Sequence, residues 1–102
     1  MNEGRVTVSG NVVTELRHVE TQDGVHITSF RLASTPRRKD KRTQQWVDGA
    51  TSYYTVTCWR HLAQNVAVSV RRGDPVVVTG DLRVREWATD ERSGTNVEID
   101  AV

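Results

Sequence analysis

Cysteine is almost absent from this chain: Cys58 is the only one in 102 residues. A lone cysteine excludes an intrachain disulfide. With three scattered histidines it also excludes a zinc site of the usual spacings. Its position in an alternating strand pattern makes it a small buried hydrophobe, suited to a reducing compartment. Proline is scarce too, and glycine is modest, so the chain is not low-complexity. No apolar run approaches the length of a membrane span, and residues 1–5 lack the pattern of a secretory leader. The expectation is therefore a cytoplasmic protein with no membrane contact. Missing as well are a phosphate-binding glycine-rich loop, a His-x-x-x-His pair and a Gly-x-Ser-x-Gly elbow. The carboxylates are spread singly, and His18, His26 and His61 lie far apart as ordinary surface or boundary residues. No catalysis, metal or cofactor is expected. An excess of one charge is also lacking, with 14 basic against 13 acidic residues, so any charged surface must come from local clustering.

What the chain does have is Val, β-branched residues and a few well-placed rings. At 102 residues it forms one domain, spanning 1–102. Tyr53-Tyr54-Thr55-Val56-Thr57-Cys58-Trp59-Arg60 reads as a central strand, because aromatic and β-branched residues suit a pleated, half-buried surface. Tyr54, Val56 and Cys58 share an apolar face. Tyr53, Thr55, Thr57 and Trp59 share the other, which sets two hydroxyls between two large rings roughly 20 Å apart. Such a face is a platform for flat ligands, or else it packs under another element or subunit.

Taken in order, Arg5 to about Val13 alternates, with Val6 and Val8 on one face and Arg5, Thr7 and Ser9 on the other. Gly10 predicts a bulge or bend there, and the strand resumes through Val19. Asp23-Gly24 predicts a hairpin turn. A second strand, Val25–Ala33, changes phase between Val25/Ile27 and Phe30/Leu32, which predicts a bulge. Residues from Pro36 to about Ala50 form a long loop or a ribbon with its own hairpin, with a turn signal at Asp48-Gly49. Leu62, Val66 and Val70 make one helical stripe over 61–70. Arg71 and Arg72 suit its last turn, and Gly73 its cap. Pro75 to Trp87 is a fourth strand. Val76, Val78, Gly80, Leu82 and Val84 point inward, and Thr79, Asp81, Arg83, Arg85 and Trp87 point outward. After a hairpin loop over 88–94, Val97, Ile99 and Ala101 alternate in a last strand.

Strand, strand, strand, helix, strand, strand predicts an all-β domain with one helix. This is the order of an OB-fold, a five-stranded Greek-key barrel with a helix between its third and fourth strands. Binding single-stranded nucleic acid needs rings that stack on bases and cations that track phosphates. Tyr53, Trp59 and Trp87 supply the rings, with Thr55 between them and Trp46 in the long loop. Arg83, Arg85 and Arg5 lie on outward strand positions. Arg37, Arg38, Lys39, Lys41 and Arg42 cluster in the loop between the second and third strands. That loop and the one near 88–94 both border the binding face of such a barrel. Few exposed amide side chains accompany the rings, so no sequence readout is expected. Two other readings share the fold: an assembly subunit of the replication machinery, akin to a primosomal adaptor, whose rings dock protein, and an RNA-binding module.

The ordered set resembles the bacterial single-stranded DNA-binding protein family. It comprises Val8-x-Gly10-Asn11-Val12, Phe30-Arg31-Leu32-Ala33, Tyr53-x-x-Val56-x-x-Trp59-Arg60-x-Leu62-Ala63-x-Asn65, Arg72-Gly73-Asp74-x-Val76-x-Val78-x-Gly80-x-Leu82 and Arg85-x-Trp87. The resemblance covers nearly the whole chain. It implies a homotetramer of OB domains that binds single-stranded DNA in replication, recombination and repair. Tyr53, Trp59 and Trp87 fall where the family places base-stacking rings. A further family ring at the start of the second loop is replaced here by Arg37-Arg38, whose planes, or Trp46, could take its stack. Family members usually continue into a flexible linker and an acidic tip that recruits replication and repair proteins. This sequence stops at Val102, so that recruitment is expected only of a longer chain.

Overall fold

Alternation of apolar and polar residues becomes alternation of burial along the long strands. The computed structural model describes residues 4–102; residues 1–3, part of the stretch read above for a leader, lie outside the described residues. The strands are β1 (Arg5–Val12), β2 (Arg17–Glu20), β3 (His26–Ser34), β4 (Arg37–Lys39), β5 (Trp46–Asp48), β6 (Ser52–Trp59), β7 (Pro75–Ala88) and β8 (Ser93–Ala101). One helix, α1 (Arg60–Ser69), joins β6 to β7. No helix among the described residues is long and apolar enough to cross a membrane.

Five long strands make the OB-type barrel. Their order is β1-β7-β8-β6-β3, and a further pairing of β1 with β3 brings the order back to its start. Most pairs are antiparallel, but β6 and β8 run parallel, with Thr55 opposite Glu98 and Thr57 opposite Asp100. β1 and β2 are two pieces of one bent edge. Asn11 and Val12 pair with the end of β3, and Arg17 to Glu20 pair with its beginning. The first strand does break and resume, but not at Gly10: the register with β7 runs unbroken from Arg5 to Asn11, and the break falls between Val12 and Arg17. At Gly10 a Cβ would meet the Ala33 carbonyl oxygen, and at Gly80 the carbonyl of Asp100. Both glycines let strands approach where side chains would hold them apart.

The core consists of Val12, Phe30, Leu32, Val56, Cys58, Ala63, Val78 and Ile99. Thr28 is the buried polar member, and its hydroxyl donates to the Ala63 carbonyl at 2.8 Å, tying β3 to the helix. Burial pushes the Cys58 thiol up to about 11, which keeps it protonated and unreactive near neutral pH.

Several sequence expectations are corrected. The bulge expected in the second strand is absent, because β3 pairs with β6 without a break from Ile27 opposite Trp59 to Ser34 opposite Ser52. Thr28, Phe30 and Leu32 share the inward phase, and a hydroxyl hid the first of them from a reading based on apolar residues. The helix ends at Ser69 with an extended Val70. Arg71 to Asp74 form a separate turn, in which the Arg71 N–H donates to the Asp74 carboxylate at 2.9 Å and Gly73 has a φ of 96°. Neither arginine is in the last turn, and Gly73 does not cap the helix. Val84 has the inward phase but is 61% exposed, because the end of β7 runs past the core. The 36–50 segment is a ribbon of β4 and β5. Its reversal lies at Asp40–Gln45, and Gly49 closes its base by donating to Pro36. His18 and His26 are not isolated: their rings stack at 5.2 Å, their nitrogens approach to 3.1 Å, and His26 lies 3.4 Å from Glu20.

Candidate nucleic-acid interface

On β6 the pleat sends Tyr53, Thr55, Thr57 and Trp59 outward, and Tyr53 and Trp59 are 52% and 43% exposed. Trp59 precedes Arg60, whose φ of 59° is unusual for a residue with a side chain. That conformation costs about 1–2 kcal/mol. It ends the strand and starts the helix, leaving Trp59 at the rim.

Neighbouring strands extend the same surface. Arg31 of β3 lies opposite Thr55, Thr55 opposite Glu98 of β8, and Glu98 opposite Arg83 of β7. Two residues along β7 is Arg85, and two more is Trp87, whose partner across the hairpin is Gly94. A Cβ at Gly94 would run into the Trp87 indole, so the ring lies against this glycine and stays 38% exposed.

The two arms leave the barrel at one end. The β4–β5 ribbon departs after β3 and returns just before Tyr53. Because β8 runs parallel to β6, the β7–β8 hairpin also projects beyond the Tyr53 end. Tyr53, Trp87 and Trp46 therefore share one end of the barrel, and Trp59 marks the other. Trp46 is 62% exposed, opposite Lys39 on the ribbon. Arg37, Arg38, Lys39, Lys41 and Arg42 are all exposed within or at the tip of that ribbon, apart from the barrel's own surface.

The cations are not equal. Arg5 lies 2.9 Å from Asp81, Arg83 3.0 Å from Asp100, Arg85 3.5 Å from Glu98 and Arg37 3.5 Å from Asp48. Carboxylates thus sit on the same outer surface as the arginines, which their single spacing in sequence does not reveal. Arg31 is a residue the sequence reading passed over. Its Nη1 donates to the Thr55 hydroxyl at 3.0 Å, and its guanidinium carbon stands 5.9 Å from the centre of the Tyr53 ring. Its signal was an outward phase on β3, obscured by the bulge expected there. Among the described residues no group of three or more His, Cys, Asp or Glu is placed to hold a metal.

Residues 3–102 match the model of the "Single-strand binding protein family". The "Single-stranded DNA-binding protein 2" of Tropheryma whipplei (strain Twist) is 47% identical over 96 residues, covering 94% of this chain and 63% of that protein. The "Single-stranded DNA-binding protein" of Corynebacterium glutamicum is 41% identical over 105 residues, covering 100% of this chain and 47% of that protein. The chain thus spans about half to two thirds of the length of these curated relatives. A solved structure described as a "small single-stranded DNA-binding protein from Streptomyces coelicolor" superposes with a TM-score of 0.89 at 41% identity, over 100% of this chain and 92% of that one.

Proposed function

Because the chain belongs to the single-strand binding protein family, we propose that it binds single-stranded DNA without sequence preference and protects it during replication, recombination and repair. The observation that carries this reading is the outer face of β6, where Tyr53 and Trp59 stand exposed with Thr55 and Thr57 between them. Bases stack on Tyr53, Trp59 and Trp87, and each such stack contributes about 1–3 kcal/mol. Trp46 adds a ring from the ribbon. Arg38, Lys39, Lys41 and Arg42 meet phosphates there, with Arg37, Arg5, Arg83 and Arg85 joining once they exchange a carboxylate for a phosphate. A groove that reads only ring faces and backbone charge has no preference among bases.

The proposed assembly is a homotetramer in the cytoplasm, at the nucleoid. An open strand edge supports association: between Arg5 and Gly10, β1 pairs with β7 alone among the described residues. Such an edge presents unpaired N–H and C=O groups on which another chain can pair.

Tryptophan fluorescence during titration with dT oligonucleotides of increasing length, at low and high salt, tests the reading. Strong quenching that saturates with length is expected, with affinity falling as salt rises. Tight binding of a replication protein without quenching by DNA would instead establish the assembly-subunit reading. A preference for poly(U) over poly(dT) would establish the RNA one.

A further inference from the structure

Among the arginines of the outer barrel face, Arg31 is compensated differently from its neighbours. Arg5, Arg83 and Arg85 each hold a carboxylate at 2.9–3.5 Å. Among the described residues no carboxylate lies within ion-pair distance of Arg31. Its partners are neutral: the Thr55 hydroxyl, at 3.0 Å from Nη1, and the Tyr53 ring, 5.9 Å from the guanidinium carbon. Both are on β6, at successive outward positions.

A guanidinium carries five N–H donors in a planar fork. The Thr55 hydroxyl takes one of them, which fixes the plane. The Tyr53 contact places the positive charge against an electron-rich ring, which attracts it. The remaining donors have no anion to satisfy them. Arg31 is only half-buried, so an incoming phosphate can reach it. Arg83 and Arg85 must release Asp100 and Glu98 to do the same, whereas Arg31 gives up nothing charged.

We propose that Arg31 is a DNA-contact residue of this surface. It binds one phosphodiester of the strand crossing β6 and orients Tyr53 for the adjoining base. The proposal rests on the single-stranded DNA reading above. It also ranks the cations: Arg31 contributes more to binding than Arg83 or Arg85, although it is not part of the visible basic cluster.

The experiment compares the wild type with Arg31→Ala, Arg31→Lys and Arg83→Ala. Binding to a dT oligonucleotide is followed by tryptophan quenching across a salt series, and a thermal melt establishes that each variant is folded. Arg31→Ala is expected to weaken binding at low salt about tenfold, the worth of one hydrogen bond to a charged group. Its slope of log affinity against log salt should fall by about 0.7, the value for one single-strand phosphate. Arg31→Lys should recover the slope but not the full affinity, since an ammonium lacks the planar fork. Arg83→Ala should change both less. An Arg31→Ala protein with the wild-type slope, whatever its affinity, would mean that Arg31 only latches β3 to β6, and would overturn the proposal alone. A wild type that binds no oligonucleotide would overturn the DNA reading and this one with it.

Discussion

Gly80 shows how little room the barrel leaves between its strands. It sits opposite Ala101, and a methyl group there would press on the Asp100 carbonyl, which is backbone and cannot swing aside. Gly80→Ala is therefore expected to cost about 1–3 kcal/mol, the range for overpacking, read as a lower urea midpoint. Unchanged stability would show that β7 and β8 separate easily at this point. The inward phase of Gly80 is legible in the sequence from Val76, Val78 and Leu82, but the neighbour that demands glycine lies 20 residues further along the chain. The same limit applied elsewhere. Thr28 reads as polar, and its partner is a helix carbonyl 35 residues away. Arg31 reads as one arginine among many until the register sets it opposite Thr55. Alternation within a strand identifies faces; only the pairing of strands identifies neighbours.

Among the elements, the β4–β5 ribbon is the least tied to the fold. All six of its strand residues are exposed, and it forms a sheet of its own. Two-stranded ribbons are marginal by themselves, so this one contributes little to the stability of the barrel. Trp46→Ala should leave the melting midpoint nearly unchanged. It should weaken oligonucleotide binding by roughly five- to a hundredfold, corresponding to one lost stack. Affinity equal to the wild type would assign Trp46 no role in binding. The existence and order of the long elements could be read in advance, because Val-rich alternation and the Leu62-Val66-Val70 stripe are local signals. The ends of elements were less legible. Arg71, Arg72 and Gly73 form a plausible helix terminus, yet the Asp74 carboxylate captures the Arg71 N–H and makes a turn of them. On β7 the alternation continues past Leu82, but no core remains beneath Val84 to bury it.

For the whole molecule, a net charge of +1 is reconciled with the proposed polyanionic ligand by pairing. Asp81, Asp100 and Glu98 hold Arg5, Arg83 and Arg85 in place on the outer face. In the Arg83 and Arg85 pairs the arginine is exposed and its acid half-buried; surface pairs are worth about 0–1 kcal/mol each, so exchanging these acids for their amides costs little stability. A Glu98→Gln, Asp100→Asn double variant should tighten binding at low salt. It should also steepen the salt slope by up to about 1.4, two phosphates' worth. An unchanged slope would mean that DNA never reaches these arginines. The parallel pairing of β8 with β6 has a different consequence, for the birth of the protein. β8 is bonded to β6 on one side and to β7 on the other, so a chain still being translated can assemble hairpins but cannot close a ring. Until residue 101 has left the ribosome, β6 and β7 each present an unpaired border to their surroundings, and such borders invite misassembly. Closure then joins segments more than 40 positions apart, a slow kind of search, and the newborn chain is most exposed to chaperones and proteases in the interval just before β8 arrives.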